Sequence, residues 1–133
     1  MKFEKNIEER YTIVKVLDEK IDSLNAPVLK SEIVMLNTEG VRNIVFDLTH
    51  VKYIDSSGLS AVLTASRLCG DADGALVLCH LSEYVEKLIK ISRLDEVFNI
   101  LPTQQESIDA IMLDELEREL TSESSDDEDE DIA

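Results

Sequence analysis

A short polar stretch, Tyr53–Ser60, reads YIDSSGLS and places one carboxylate, two hydroxyls and a glycine between an apolar run and an apolar helical pattern. These residue types suit four kinds of chemistry. Ser57 could be an activated nucleophile, the backbone could cradle a phosphate, a serine could be a phosphorylation site, or the stretch could only cap a helix. The spacing of the neighbouring residues separates these alternatives.

The nucleophile interpretation has little support. A nucleophilic serine at a strand-to-helix turn is normally flanked by glycines two residues before and two residues after it, where this chain has Asp55 and Leu59 around Ser57. The two histidines, His50 and His80, each follow a predicted strand, and such a histidine is more often a surface or capping residue than the base of a triad. We therefore predict no catalytic residue and no enzymatic activity.

Ligand-binding motifs are equally sparse. DSSG has one glycine and no following lysine, unlike a P-loop. Helix N-termini do bind anions, so a nucleotide-binding protein stays an alternative from another functional class. No Cys/His spacing of zinc type occurs, and we predict no metal site, no cofactor and no small-molecule substrate. We expect Cys69 and Cys79 to be buried free thiols.

The capping and phosphorylation interpretations are compatible. Asp55, Ser56 and Ser57 all favour a helix start, but a cap needs only one of them, so the others face solvent or a partner. The positive end of a helix accommodates a phosphate on Ser57, which would add about 1.5 to 2 negative charges. This charge would lie beside Asp55, and beside Asp22 if the first helix neighbours this one. Such a cluster would switch docking without a change of fold.

Composition limits the partners. The 133 residues suit one domain, 44% of them are apolar, and the net charge is -16. The absence of a basic stripe argues against direct binding of nucleic acid or of an anionic membrane. No apolar run approaches the roughly 20 residues of a membrane span. The charged start, MKFEKNIEER, has no signal-peptide pattern, so we expect a cytoplasmic protein.

The last residues differ from the rest. From Thr121 the sequence TSESSDDEDEDIA is nearly all polar and acidic. Such a segment buries too little apolar surface to offset the entropy of ordering. We predict one domain over residues 1–120 and a disordered acidic tail over 121–133. The tail most simply keeps the chain solvated, and competition for a basic partner surface is the alternative.

Strand and helix patterns alternate along the body of the chain. Period and composition predict the order β-β-α-β-α-β-α-β-α, which implies an α/β fold. We expect a mostly parallel, mixed sheet of four to five strands, with an N-terminal antiparallel hairpin and about four helices. Asn25 and Ser82 are predicted N-caps, and Gly40 is predicted to end the first helix. The last helix carries one apolar stripe, formed by Ile108, Ile111, Met112, Leu116 and Leu120.

The central segment VRNIVFDLTHVKYIDSSGLSAVLTASRLC resembles the signature region of STAS domains, and among them the bacterial anti-sigma factor antagonists. An apolar strand ending in Asp-Leu is followed by Asp-Ser-Ser-Gly-Leu and an apolar helix. Two flanking segments also resemble the family, namely KIDSLNAPVLKSEI and LIKISRLDEVFNILPTQQESIDAI. The resemblance covers roughly residues 3–113 and implies a STAS-like fold.

The resemblance also implies a function. Family members of this kind bind an anti-sigma factor that is also a serine kinase, and binding releases the sigma factor. The kinase phosphorylates the serine directly before the motif glycine, which is Ser57 here, and a serine phosphatase removes the phosphate. The implied partner-facing residues are Asp22, Asn25, Asp55, Ser56, Ser57, Gly58 and Leu59. Gly58 is expected to allow close approach of a partner or of a neighbouring backbone. The alternative within the family is a STAS subunit of a signalling scaffold or of a lipid-transport complex.

Overall fold

Five strands form the main sheet of the computed structural model, which describes the backbone of residues 1–132 and the side chains of residues 1–121. The strands lie in the order β1 (Phe3–Ile7), β2 (Thr12–Val16), β4 (Ile44–Asp47), β6 (Leu76–Cys79) and β7 (Asn99–Leu101). β1 and β2 form an antiparallel hairpin, and the other neighbours are parallel. The predicted α/β architecture with an N-terminal hairpin is confirmed.

Four α-helices connect and cover these strands, as predicted. They are α1 (Ala26–Thr38), α2 (Ser56–Asp71), α3 (Glu83–Ile91) and α4 (Gln104–Ile132). The sequence patterns did not indicate a second, two-stranded parallel sheet between β3 (Lys20–Ile21) and β5 (Tyr53–Ile54), or a 3-10 turn at Leu94–Glu96. Each strand of the small sheet has only two residues, too few for a hydrophobic period to register.

Alternating strand residues divide the interior into two layers. Val14, Phe46 and Leu78 belong to the larger core, which the buried sides of α1, α2 and α3 complete. Val45 and Val77 point to the opposite face, where they pack against Ile111 of α4. All four residues of β4 and of β6 are buried, as expected for central strands covered on both faces.

The predicted helix boundaries are mostly confirmed. Ser82 accepts a hydrogen bond from the Val85 amide, and Gly40 follows α1 with φ +96°, a left-handed conformation that glycine favours. Asn25 occupies the N-cap position of α1, but its side chain makes no capping hydrogen bond and instead bonds within the preceding loop. α2 ends one residue past the predicted end at Gly70.

α4 packs through only part of its predicted apolar stripe, in which Ile108 is partly buried against the core. Ile111 is buried, whereas Met112, Leu116 and Leu120 are exposed. Buried Glu115 attaches α4 to the residues just before β4. Its carboxylate accepts hydrogen bonds from Asn43 Nδ2 at 2.6 Å and Arg42 Nε at 3.1 Å. Side chains from residue 122 onward, and Ala133, lie outside the described residues. The backbone of α4 runs to Ile132 and is therefore helical through most of the predicted tail over 121–133, whose disorder stays a prediction.

Candidate functional site

The N-terminus of α2 is held by Asp55. Asp55 has the extended backbone of an N-cap, and its Oδ1 accepts a hydrogen bond from the Gly58 amide at 3.0 Å. Its Oδ2 accepts a second hydrogen bond from the Ser23 amide at 3.2 Å. One carboxylate therefore caps α2 and ties it to the loop between β3 and α1. These two segments are 32 residues apart in the chain.

Because Asp55 makes the capping hydrogen bond of α2, neither Ser56 nor Ser57 is needed as the N-cap. Ser56 is exposed and Ser57 is half-buried, both in the first turn of α2. Within residues 1–121, neither hydroxyl has a protein hydrogen-bond partner. The first amides of a helix also lack partners inside the helix. The site thus combines a free hydroxyl with the positive end of a helix, which tolerates an added anion.

Gly58 brings α2 against the small sheet. A Cβ atom built on Gly58 would lie 2.6 Å from the Ile21 carbonyl oxygen and 2.6 Å from Ile54 Cγ1. Of the two predicted roles for Gly58, the structure shows the close approach of a neighbouring backbone. Gly58 and Leu59 are both buried. Neither residue offers an exposed side chain to a partner, so both act by packing beneath the surface of the site.

Hydrogen bonds between side chains and backbone fix the loop from Asp22 to Asn25. Asp22 Oδ1 accepts from the Leu24 amide at 3.0 Å, and Asn25 Oδ1 accepts from the Asp22 amide at 2.8 Å. Asn25 Nδ2 also donates to the Lys20 carbonyl at 2.7 Å. The predicted loop residues therefore fix the conformation that presents Leu24, which is 87% exposed.

Exposed apolar side chains border the start of α2, and sequence reasoning missed them. Leu24 lies in the loop between β3 and α1 and Val28 in the first turn of α1, while Tyr53 belongs to β5 and Tyr84 to α3. The two tyrosine rings stack, with centroids 5.8 Å apart. We call these four side chains, together with Asp22, Asp55, Ser56 and Ser57, the docking face. Exposed apolar groups around a polar centre are typical of a protein-binding surface.

The two histidines were the candidate bases for a serine nucleophile. His80 Nε2 accepts a weak hydrogen bond from the Gln104 amide at 3.4 Å, at the start of α4, and His50 is exposed in the turn after β4. In the described part of the chain neither histidine hydrogen bonds to Ser57. The structure therefore does not assemble a serine–histidine pair from the residues that the sequence offered.

Both cysteines are free and buried, as predicted. Burial raises the pKa of the Cys69 thiol to about 12. Burial and the neighbouring Asp47 carboxylate raise the pKa of Cys79 to about 11, against a hydrogen bond with Ser107 that lowers it. Asp47, Cys79 and His80 lie together and are the residues of the described chain whose side chains could ligate a metal.

Over the described residues, we find no helix that combines the length and the apolar character needed to cross a bilayer.

Comparisons with known proteins agree with the fold. The family model described as STAS domain matches residues 2–125. BtrV of Bordetella bronchiseptica, named as an anti-sigma factor antagonist, is 30% identical over 93 residues, which cover 70% of this chain and 80% of BtrV. The anti-sigma-B factor antagonist of Bacillus subtilis is 32% identical over 81 residues, which cover 61% of this chain and 73% of the relative. The structure of the Bacillus cell fate determinant SpoIIAA in its phosphorylated form has a TM-score of 0.65 at 21% identity, and the match covers 83% of this chain and 99% of that one.

Proposed function

The chain belongs to the STAS domain family, and from that premise we propose that it is an anti-sigma factor antagonist switched by phosphorylation of Ser57. In the unmodified state the docking face binds an anti-sigma factor that is also a serine kinase, and the sigma factor is released. The kinase then transfers the γ-phosphoryl group of ATP to the Ser57 oxygen, the hydroxyl proton leaves and ADP is released. A serine phosphatase restores the hydroxyl. In this proposal the chain binds and is modified, and has no catalytic role itself.

The observation that carries the proposal is the free Ser57 hydroxyl in the first turn of α2. Asp55 makes the capping hydrogen bond, so modification of Ser57 would break no hydrogen bond that holds the helix. The helix end offers the added phosphate a favourable field. We therefore expect phosphorylation of Ser57 to leave the fold intact and to change the affinity for the partner.

The expected effect of the phosphate is repulsive. A partner that covers Leu24, Val28, Tyr53 and Tyr84 would also remove Ser57 from water. Burial of a group with about two negative charges is costly without a matching cation. Asp55 and Asp22 already make this centre acidic, so the phosphate adds a like charge. Binding weakens although the fold persists.

The first experiment maps the modified residue. The protein is incubated with ATP and the candidate anti-sigma factor kinases of its own genome, and phosphate is located by mass spectrometry. We expect phosphate on Ser57, loss of modification in Ser57→Ala and retention in Ser56→Ala. The neighbouring serine is a matched control, since it is exposed in the same helical turn. Phosphate on another residue, with Ser57→Ala modified like wild type, would contradict the proposal.

A second experiment measures affinity for the same kinase. We expect Ser57→Asp to raise the Kd by at least about tenfold, which corresponds to about 1.4 kcal/mol. Unaltered binding of Ser57→Asp would argue that charge at this position is not the switch. Affinity purification from the native cell tests the other uses of the family. Recovery of a permease with an ATPase would favour a lipid-transport complex, and recovery of a kinase that regulates a sigma factor would favour our proposal.

A further inference from the structure

Asp47 is a buried acid without a counter-charge. It ends β4, is 3% exposed, and forms no ion pair with any described lysine, arginine or histidine. Its Oδ1 accepts from the Thr49 amide at 2.9 Å and from the Thr49 hydroxyl, and its Oδ2 accepts from Gln104 Nε2 at 3.1 Å. All of these donors are neutral. Buried charges in proteins are usually paired or bound to a metal, so this carboxylate lacks a cation.

Strand register brings a thiol beside that acid. Asp47 and Cys79 are register partners on the parallel strands β4 and β6, so their side chains share the face that α4 covers. His80 follows directly, and its Nε2 accepts the Gln104 amide hydrogen, so the lone pair of this nitrogen is directed at the start of α4. The carboxylate oxygen, the sulfur and the imidazole nitrogen lie within 4.8 Å of one another.

The backbone at His80 is also unusual. Its φ is +55°, in the left-handed region that a residue with a side chain adopts at a cost of order 1 kcal/mol or more. Backbone strain of this kind tends to persist at binding sites, where it positions a functional side chain. Here it occurs at the residue that completes the cluster.

We propose that Asp47, Cys79 and His80 form a binding site for Zn²⁺. Zinc takes carboxylate, thiolate and imidazole ligands, whereas Mg²⁺ and Ca²⁺ select oxygen ligands only. Zinc–ligand bonds of about 2.0–2.3 Å put ligand atoms some 3.3–3.8 Å apart, so atoms that lie within 4.8 Å of one another need to close by about 1.5 Å at most. As the ion enters, Gln104 Nε2 leaves Asp47 and the Gln104 amide leaves His80 Nε2, because the imidazole has one free lone pair and cannot both accept that hydrogen bond and bind zinc. The Cys79 thiol gives one proton to solvent for each ion bound.

An open cleft reaches His80, whereas Asp47 and Cys79 are buried behind it. His80 lines a cleft of about 570 Å³ together with Thr49, Ser82 and Glu86. Three protein ligands leave the fourth zinc position to water or to a group from this cleft. The ion would fasten the end of β4 to the end of β6. The segments that follow these strands lead to Tyr53 and to Tyr84 of the docking face, so zinc would stabilise both sides of that face.

Cobalt provides the test, because Co²⁺ bound to a thiolate absorbs strongly in the near ultraviolet. The full-length, reduced protein is titrated with CoCl₂ and then with ZnCl₂. We expect absorbance that saturates at one ion per chain, is lost on addition of zinc and is absent in Cys79→Ser. Cys69→Ser, the matched control for a buried thiol, should behave like wild type. Ions held loosely by acidic residues have no thiolate ligand and give no such absorbance.

Two results would overturn the site. One is the absence of thiolate absorbance in the wild type at millimolar Co²⁺, and the other is its persistence in Cys79→Ser. Since Cys79 is fully buried and its variant could unfold, His80→Gly gives a second test. Glycine accepts the φ of +55°, so this variant should fold, and its affinity for Co²⁺ should fall by at least about tenfold. Unchanged affinity of folded His80→Gly would also refute the proposal.

Discussion

Gly58→Ala tests whether close packing positions the phosphorylation site. The new Cβ would lie 2.6 Å from the Ile21 carbonyl oxygen, while ordinary contact begins at 3.4 Å. α2 and β3 must therefore separate by roughly 0.8 Å, the difference between those two distances. Overpacking of this kind costs about 1–3 kcal/mol. Alanine's higher helix propensity returns about 1 kcal/mol, which leaves a net loss of roughly 0–2 kcal/mol.

The same helix contains a matched control. A Cβ on Gly70 would meet nothing within 4 Å, so Gly70→Ala should be neutral or stabilising by up to about 1 kcal/mol. Urea unfolding of both variants measures the contrast, with the midpoint expected to fall for Gly58→Ala and to hold or rise for Gly70→Ala. Equal midpoints for the two variants would refute the claim that Gly58 sets the distance between α2 and β3.

Four further outcomes follow from particular contacts. Asp55→Ala should cost about 1 kcal/mol in urea unfolding through loss of the cap, and a variant as stable as wild type would contradict that role. Leu24→Ser should change the free energy of unfolding by no more than about 0.5 kcal/mol, because Leu24 is 87% exposed. The same variant should bind the anti-sigma factor kinase more weakly, and unchanged binding would exclude Leu24 from the interface. Burial opposes ionisation of Glu115, but hydrogen bonds from Asn43 and Arg42 and the charge of Arg42 outweigh it and lower its pKa. Its ionised form therefore stabilises the fold above the ordinary pKa of 4.5, and this contribution is lost as pH falls through the lower folded value. Glu115→Gln should flatten the acid-side pH dependence of the unfolding free energy. An unchanged slope would argue that ionised Glu115 does not stabilise the fold. With pKa values raised to about 12 and about 11, Cys69 and Cys79 should resist iodoacetamide at pH 8 in the native protein and react in urea, a difference that mass spectrometry measures.

Sequence reasoning was most accurate where the signal is local. Helix-start residues at Ser82 and Asp55, the glycine after α1 and the buried runs of β4 and β6 all depend on neighbours within a few residues. It was least accurate where distant segments meet. Asn25 was expected to cap α1, but Lys20 and Asp22 compete for its side chain. α4 buries Glu115 beside Ile111, while Met112, Leu116 and Leu120 of the predicted stripe are exposed.

By itself, the sequence determined the order of the main-sheet strands and the helices, the family resemblance and the position of Ser57 before the motif glycine, since each depends on contiguous residues. The tertiary structure decided how these parts act together. It assigned the cap to Asp55 and left the Ser57 hydroxyl free, and it showed that Gly58 is required by the Ile21 backbone. It also placed Asp47 beside Cys79, 32 positions along the chain. These results depend on packing between segments far apart in sequence, which no local pattern encodes.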